Sequence, residues 1–323
     1  MSISKIKVMN KEEQLSADTI LPIMSSGLGL LLAIDMWRLW PDLSMLFGQG
    51  TFLDEHSISS QQRPDTLSIH TLIANLPECT LASLEWIHFF GLLYIICGLA
   101  LFFDHYRKVA MPGLIILHYL FFIANYTWSY GADYLAQTGL FFSVIFCFFR
   151  SRWLPNEKWA ALGTKLFRWQ LTFVYFFAGL GKAIGSSWWN GEAVWKAIQQ
   201  PLSPALFTIP QSAQQFATIW AGLGIATLLL ELGYGLLWIK GRVRLYISTG
   251  IILMHLGIAL TMGLIHFSCL MIWYNLCAWD HPLLHRIAKP IIKPLETTEP
   301  TLQVRMATAD LDTREGGNNK HVK

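Results

Sequence analysis

Residues 168–201 read RWQLTFVYFFAGLGKAIGSSWWNGEAVWKAIQQP, an apolar helical run that ends near Lys182 and opens into a polar loop rich in tryptophan. Apolar runs long enough to cross a bilayer recur along the rest of the chain. This pattern predicts an all-α protein, a polytopic membrane bundle with about seven to eight transmembrane helices.

The composition agrees with a membrane protein. Of the 323 residues, 53% are hydrophobic and only 14% are charged, and the mean hydropathy is +0.40. Soluble domains carry about 25% charged residues. The net charge of +3 is small and spread along the chain, so we expect no nucleic-acid partner.

Hydropathy predicts eight spans, with the last run folding as two segments around Gly263: 20–40, 82–103, 110–128, 131–149, 167–184, 216–239 and 245–279. The connections 41–80, 126–133 and 185–215 are poor in Lys and Arg, whereas the alternate connections and both flanks are rich in them. The positive-inside rule therefore places both termini in the cytoplasm. The predicted organisation is a cytoplasmic segment 1–19, a transmembrane domain 20–285 and a cytoplasmic, largely disordered tail 286–323.

Ionisable residues inside these spans are candidates for function because a charge in the bilayer is costly. A rise of about 1.5 Å per residue sorts them into two layers. An outward-facing layer, about 21–26 Å above the cytoplasmic flanks, contains Asp35, Asp133 and Lys182. A layer near the midplane, at about 14–17 Å, contains His118, Glu231 and His255.

The residues alone leave the roles of these groups open. Glu231 and His255 fall at one depth on consecutive helices, so we expect them to hydrogen-bond, either to orient the helices or to act in function. Asp35 is expected to form a local ion pair with Arg38, three residues later. Lys182 is either an interfacial anchor or a reactive amine, and apolar walls are expected around it from Phe173, Phe176 and Phe177.

A family resemblance favours a reactive amine at Lys182. The spacing of Tyr175, Ala178, Gly179, Lys182, Trp188 or Trp189, Gly191 and Glu192 resembles the horizontally transferred transmembrane domain, which vitamin K-dependent gamma-carboxylases share with bacterial relatives. The segment MHLGIALTMGLIHFSCLMIW, 254–273, resembles a late helix of that family. In the carboxylases, the lysine matching Lys182 is the proposed base that deprotonates a reduced quinone.

The resemblance implies catalytic roles for Lys182 and His255 and a reduced quinone as cofactor. We predict substrate-binding positions at Tyr175, Trp188, Trp189, Gly191, Asp133 and Asp35. Structural or relay roles are predicted for Glu231 and His118, and no metal ligand is predicted.

The chain departs from the carboxylases in two places. They have an asparagine–histidine pair in the helix matching 131–149, where this chain has Gly131, Ala132 and Asp133. They also continue into a large extracytoplasmic region, which is not expected here. The length and the sequence GKAIGSSWWNGEAVWKAIQQP instead resemble the stand-alone bacterial members, the sporulation-delaying protein B subgroup.

That subgroup implies maturation of a secreted antimicrobial or toxin peptide at the bacterial cell membrane, with the site facing outside. The implied partners are the lipid bilayer, the peptide precursor and a small companion subunit. Three functions stay open: an enzyme acting on the peptide, a non-catalytic peptide-binding or export partner, and a midplane metal or proton-relay protein.

Overall fold

A computed structural model describes residues 17–47, 67–76, 86–124, 129–149, 151, 153–199 and 205–287, and every regular element within them is helical. The predicted all-α class is confirmed. The chain forms a large unit up to His281 and a second unit from Pro282. Most of the predicted terminal segments, 1–19 and 286–323, lie outside the described residues.

Each predicted span overlaps a helix in the described part of the chain, and residues 82–85 and 125–128 of two spans lie outside it. The large unit contains α1 (Ala17–Leu39), α2 (Leu43–Phe47), α3 (Ile69–Ala74), α4 (Trp86–Phe102), α5 (Arg107–His118), α6 (Gly131–Ser143), α7 (Asn156–Ala183), α8 (Ser186–Trp189), α9 (Glu192–Gln199), α10 (Ala217–Leu232), α11 (Arg242–Met262) and α12 (Ile265–Ala278). The second unit begins with α13 (Pro282–Ile287). Single π-helical turns, Tyr119–Ile123 and Val144–Phe148, extend α5 and α6, and a 3-10 segment, Gly233–Trp238, extends α10.

Three helical segments are long and apolar enough to cross a membrane, namely Thr19–Phe47, Ala217–Trp238 and Arg242–Met262. Two shorter apolar helices, α4 and α12, accompany them. These segments indicate a membrane protein. The count of seven to eight spans and the cytoplasmic position of the termini stay predictions.

The core is built around α1. The side chains of Ile23, Met24, Leu28 and Leu32 are fully buried, and α1 contacts α4, α6, α7 and α12. A helix that is apolar on all sides is stable when neighbours surround it. By contrast, only 28% and 22% of the apolar stretches of α10 and α11 are buried, so these helices lie at the edge of the bundle.

The predicted break at Gly263 is confirmed. Gly263 has a φ of +70°, which ends α11, and α12 begins two residues later. Glycine adopts this left-handed conformation without the steric cost of a side chain. The two helices then pack against one another.

Candidate functional site

A cavity of about 680 Å³ lies between α7, α10 and α11, with α9 and Trp188 at one end and α12 contributing Phe267 and Met271. Its wall is mostly aliphatic, and a few polar side chains converge on it: Tyr175, Lys182, Thr227, Glu231, His255 and Thr261. Ligand pockets typically measure about 300–1,000 Å³ and combine apolar walls with a few polar groups. The cavity therefore has the size and lining of a binding site.

Lys182 forms an ion pair with Glu231 at the cavity wall. The Lys182 Nζ donates to both Glu231 carboxylate oxygens, each at 2.8 Å. The Glu231 side chain is 7% exposed and that of Lys182 is 26% exposed. The negative charge of Glu231 compensates the positive charge of Lys182, so the pair adds no net charge to the cavity wall.

Gly179 allows α7 to approach α10 beside this pair. A Cβ atom at Gly179 would lie 2.9 Å from the Cβ of Glu231 and 3.0 Å from the backbone nitrogen of Leu232. Glycine is thus required for the contact between the two helices. Gly179 precedes Lys182 by one helical turn, so the same approach sets the position of the amine.

In the tryptophan-rich loop, Trp188 lines the cavity, whereas Trp189 and Gly191 hold the loop in place. Lys182 Nζ lies 5.3 Å from the ring centroid of Trp188, a cation–π distance, and Trp188 lines the cavity. Trp189 is half exposed and donates through Nε1 to the carbonyl of Ala183 at 2.9 Å, so it does not line the cavity. Gly191 has a φ of +81° and lies against the backbone of α10, which makes it a support for the loop.

Glu192 lies at the exposed start of α9. Its carboxylate forms a 2.6 Å ion pair with Lys196, and this hydrogen bond lowers the pKa of the Glu192 carboxyl. Glu192 and Lys196 do not line the cavity. The second lysine of the loop therefore serves as a control for Lys182.

Tyr175 and His255 form the second polar contact of the cavity. The Tyr175 hydroxyl lies 2.7 Å from His255 Nε2, and both side chains are buried. Asn275 Nδ2 donates to the same hydroxyl at 2.8 Å. His255 Nδ1 has no hydrogen-bond partner and is screened from solvent.

The expected hydrogen bond between Glu231 and His255 is wrong, although both residues line the cavity. Glu231 pairs with Lys182, and His255 pairs with Tyr175. Lys182 and Glu231 were assigned to different layers by the depth of their Cα atoms, yet their charged groups meet. A lysine has a four-carbon stem that carries its amine well away from the depth of its Cα atom.

The expected aromatic wall around Lys182 is also wrong. Phe173, Phe176 and Phe177 are 53%, 42% and 62% exposed, and they lie outside the cavity lining. These rings occupy the outer side of α7. The cavity side of α7 instead presents Val174, Tyr175 and Ala178.

Asp35 lies in a separate polar region between α1 and α12. Its carboxylate forms the expected local pair with Arg38 at 3.6 Å, and Oδ1 lies 3.4 Å from His266 Nδ1. Asp35 is absent from the cavity lining. Its predicted role in substrate binding stays a prediction.

His118 and Asp133 also lie away from the cavity. The Nε2 of His118 donates to the backbone carbonyl of Asp133 at 3.0 Å, and its Nδ1 lies 2.8 Å from the Tyr94 hydroxyl. The Asp133 carboxylate accepts from the backbone nitrogen of Tyr130 at 2.8 Å and so caps α6. These contacts are those expected of residues that hold helices in place.

Asn275, Tyr234 and Trp279 belong to the site and were missed by sequence reasoning. Asn275 is fully buried near the end of α12 and bonds Tyr234 and Tyr175. An amide inside an apolar span is costly unless it is hydrogen-bonded. That polar interruption of the run 245–279 is the signal that could have identified Asn275.

No family model, curated protein or solved structure matches this chain. The resemblance to the gamma-carboxylase membrane domain stays a prediction. Among the described residues, no group of three or more His, Cys, Asp or Glu side chains is arranged to hold a metal ion.

Proposed function

We propose that this protein acts in the bacterial cell membrane in the maturation of a secreted antimicrobial or toxin peptide, and that the Lys182–Glu231 cavity is its reaction site. One observation carries the proposal: an amine and a carboxylate form a bidentate pair at the wall of a ligand-sized apolar cavity. The resemblance of the Lys182 region to the carboxylase domain supports the same site.

In this proposal, Lys182 is a general base. Transfer of one proton from the Lys182 ammonium to Glu231 leaves a neutral amine and a neutral carboxylic acid. The pair has no net charge before or after the transfer, so the step places no net charge in the apolar surroundings. The amine lone pair then accepts a proton from a bound substrate, and the new ammonium lies beside the negative charge that forms.

The loop gives the site an orientation. Residues 185–215 are predicted to face outward, and Trp188 and α9 lie at the end of the cavity on the side of this loop. A secreted peptide would therefore reach Lys182 from the outer side. The small companion subunit implied by the subgroup would act at the same face.

A reduced quinone, the cofactor implied by the resemblance, fits the residues present. The cavity has a ligand-sized volume and an apolar wall, and Phe267 and Met271 offer surfaces for a ring. Such a group would supply an acidic hydroxyl near Lys182. The chain itself would bind it, exclude water and accept its proton at Nζ.

One observation favours a non-catalytic binding or export partner. Two of the three Lys182 donor hydrogens are engaged by Glu231, and the amine also lies over Trp188. An amine held in this way is also suited to anchor a peptide. In that case the identity of the cation matters less than its charge.

The test compares Lys182→Arg with Lys196→Arg. Arginine retains the ion pair with Glu231 but cannot offer a neutral amine, because its guanidinium stays protonated. The peptides secreted by a producing strain are weighed by mass spectrometry, and the amount of protein in the membrane is measured in parallel. We expect Lys182→Arg to lower the amount of matured peptide by about 100-fold or more. Lys196→Arg is expected to leave this amount unchanged.

Full maturation with Lys182→Arg, at normal abundance, would contradict the base and favour the binding partner. Deletion of the protein separates the remaining alternatives. Loss of a mass modification indicates an enzyme, whereas altered export or cleavage alone indicates a partner.

A further inference from the structure

A buried chain of hydrogen bonds runs from Trp279 to the cavity through Tyr234, Asn275, Tyr175 and His255. The successive donor–acceptor distances are 2.8, 2.7, 2.8 and 2.7 Å. All five side chains are at most 2% exposed. Solvent therefore has no access through which it could reverse the direction of donation.

The first link of the chain can run in one direction only. The Trp279 indole has a hydrogen to donate and no lone pair to accept with. The Tyr234 hydroxyl consequently accepts from Trp279 and donates its single hydrogen to Asn275 Oδ1. Tyr234 cannot then donate in any other direction.

A second, independent contact fixes the amide of Asn275. Its Nδ2 lies 2.8 Å from the backbone carbonyl of Met271, which can only accept. A flipped amide would place two oxygens against each other. The other Nδ2 hydrogen therefore goes to the Tyr175 hydroxyl.

Tyr175 passes this direction on to His255. Its hydroxyl accepts from Asn275. If it also accepted from His255 Nε2, its own buried hydrogen would have no partner, so that hydrogen is donated to Nε2. A neutral imidazole that accepts at Nε2 carries its hydrogen at Nδ1. The stacking of Tyr175 on Tyr234, with ring centroids 4.1 Å apart and planes at 13°, holds both hydroxyls in line.

We infer that Asn275 is a positioning residue that acts through Tyr175 to hold His255 as the Nδ1–H tautomer, in which Tyr175 engages the Nε2 lone pair and His255 is not a base of the site. The Nε2 lone pair is engaged by Tyr175, whereas Nδ1 has no partner. An unpaired buried N–H group is costly unless an acceptor reaches it. This inference rests on the proposed function only in giving His255 a role beside Lys182.

The Lys182–Glu231 pair limits what the site can hold. Lys182 has one hydrogen that Glu231 does not engage, whereas Nδ1 of His255 is screened from solvent. The ion pair is already neutral, so an anionic ligand would add an uncompensated charge to an apolar cavity. The site thus favours a neutral acceptor, such as the carbonyl oxygen of a peptide.

Nuclear magnetic resonance of the full chain in micelles, with nitrogen-15 histidine, tests the tautomer directly. His255→Gln identifies the His255 signals. We expect a protonated Nδ1 and a bare Nε2 for His255. His118 is an internal control with the opposite expectation, because the carbonyl of Asp133 fixes its hydrogen on Nε2.

Two variants test the role of Asn275. Asn275→Asp removes the donor to Tyr175 and offers an acceptor, so Tyr175 turns its hydrogen away and His255 shifts towards the Nε2–H tautomer. Tyr234→Phe leaves Asn275 fixed by Met271, so the His255 tautomer is expected to be unchanged. Should Asn275→Asp not fold, Tyr175→Phe removes the next donor of the chain, the hydroxyl that donates to His255 Nε2, and is expected to release the tautomer.

A bare Nδ1 on His255 in the unmodified protein would overturn the inference. A tautomer that persists in a folded Asn275→Asp variant would also overturn it, as would one that persists in Tyr175→Phe. None of these spectra depends on turnover. The inference can therefore fail while Lys182 remains the base, and it can hold if Lys182 is only an anchor.

Discussion

Two tyrosine–histidine pairs of nearly equal length join different helices of this bundle. Tyr175 and His255 are 2.7 Å apart beside the cavity, and Tyr94 and His118 are 2.8 Å apart between α4 and α5. Both ring nitrogens of His118 are hydrogen-bonded, whereas His255 has one without a partner. The Tyr94–His118 pair therefore holds helices together, whereas the Tyr175–His255 pair also lines the cavity.

The largest expected effect on stability concerns the Lys182–Glu231 ion pair beside the cavity. Lys182→Met leaves the Glu231 carboxylate without its partner in an apolar wall. We expect a loss of about 3 kcal/mol in the free energy of unfolding, at the low end for a broken buried pair because Lys182 is 26% exposed. Thermal unfolding in micelles measures it.

The companion variant removes the unpaired carboxylate as well. Lys182→Met with Glu231→Gln is expected to recover most of that stability, since neither side chain is then charged. Strict additivity of the two substitutions would mean that the side chains do not interact. Maturation should stay absent in the double variant.

Substitutions at His118 and His255 are both expected to lower stability but to differ in their effect on maturation. His118→Phe removes the acceptor of the Tyr94 hydroxyl and the donor to the Asp133 carbonyl, at a cost of roughly 2–4 kcal/mol, while His255→Phe removes the acceptor of the Tyr175 hydroxyl, at roughly 1–3 kcal/mol. Maturation per folded molecule should fall with His255→Phe and persist with His118→Phe. Loss of maturation in the His118 variant, at equal abundance, would contradict the placement of the reaction site at the Lys182–Glu231 cavity.

Gly179 and Gly181 provide a matched pair on α7. A Cβ atom at Gly179 meets Glu231 and α10, whereas one at Gly181 meets nothing within 4 Å. We expect Gly179→Ala to cost about 1–3 kcal/mol through overpacking, with reduced maturation. Gly181→Ala should match the unmodified protein in both measurements, and equal effects of the two would argue against the close approach.

The smallest stability effect is expected from filling the cavity. Gly257 lines the cavity and has open space beside it, so Gly257→Leu should change the stability by less than about 1 kcal/mol. Maturation should nevertheless fall, because the added side chain occupies ligand volume. Gly222→Leu, also in open space but outside the cavity, is the control.

The predicted membrane topology is testable with substitutions that are not expected to change stability. Ser186→Cys in the tryptophan loop should react with an impermeant thiol reagent in intact cells, and Glu157→Cys at the start of α7 should not. The unmodified protein sets the background from its own cysteines. The reverse pattern of labelling would invert the predicted topology.

The sequence by itself determined the helical class and the regions of the long helices, because long apolar runs permit few alternatives to a helix in a bilayer. It did not predict the short helices α2, α3, α8 and α9 in the connections. It also located the break at Gly263, the local Asp35–Arg38 pair and the Lys182–Trp188 end of the cavity. All of these depend on neighbours that are close in sequence.

Only the tertiary structure decided which polar groups meet. Helical rise gives the depth of a Cα atom along one axis, but neither the rotation of the helix nor the reach of a side chain. Lys182 thus meets Glu231 across the close contact at Gly179, and His255 meets Tyr175 and, through it, Asn275. The outward position of Phe173, Phe176 and Phe177 was set in the same way, by the face of α7 that packs against its neighbours.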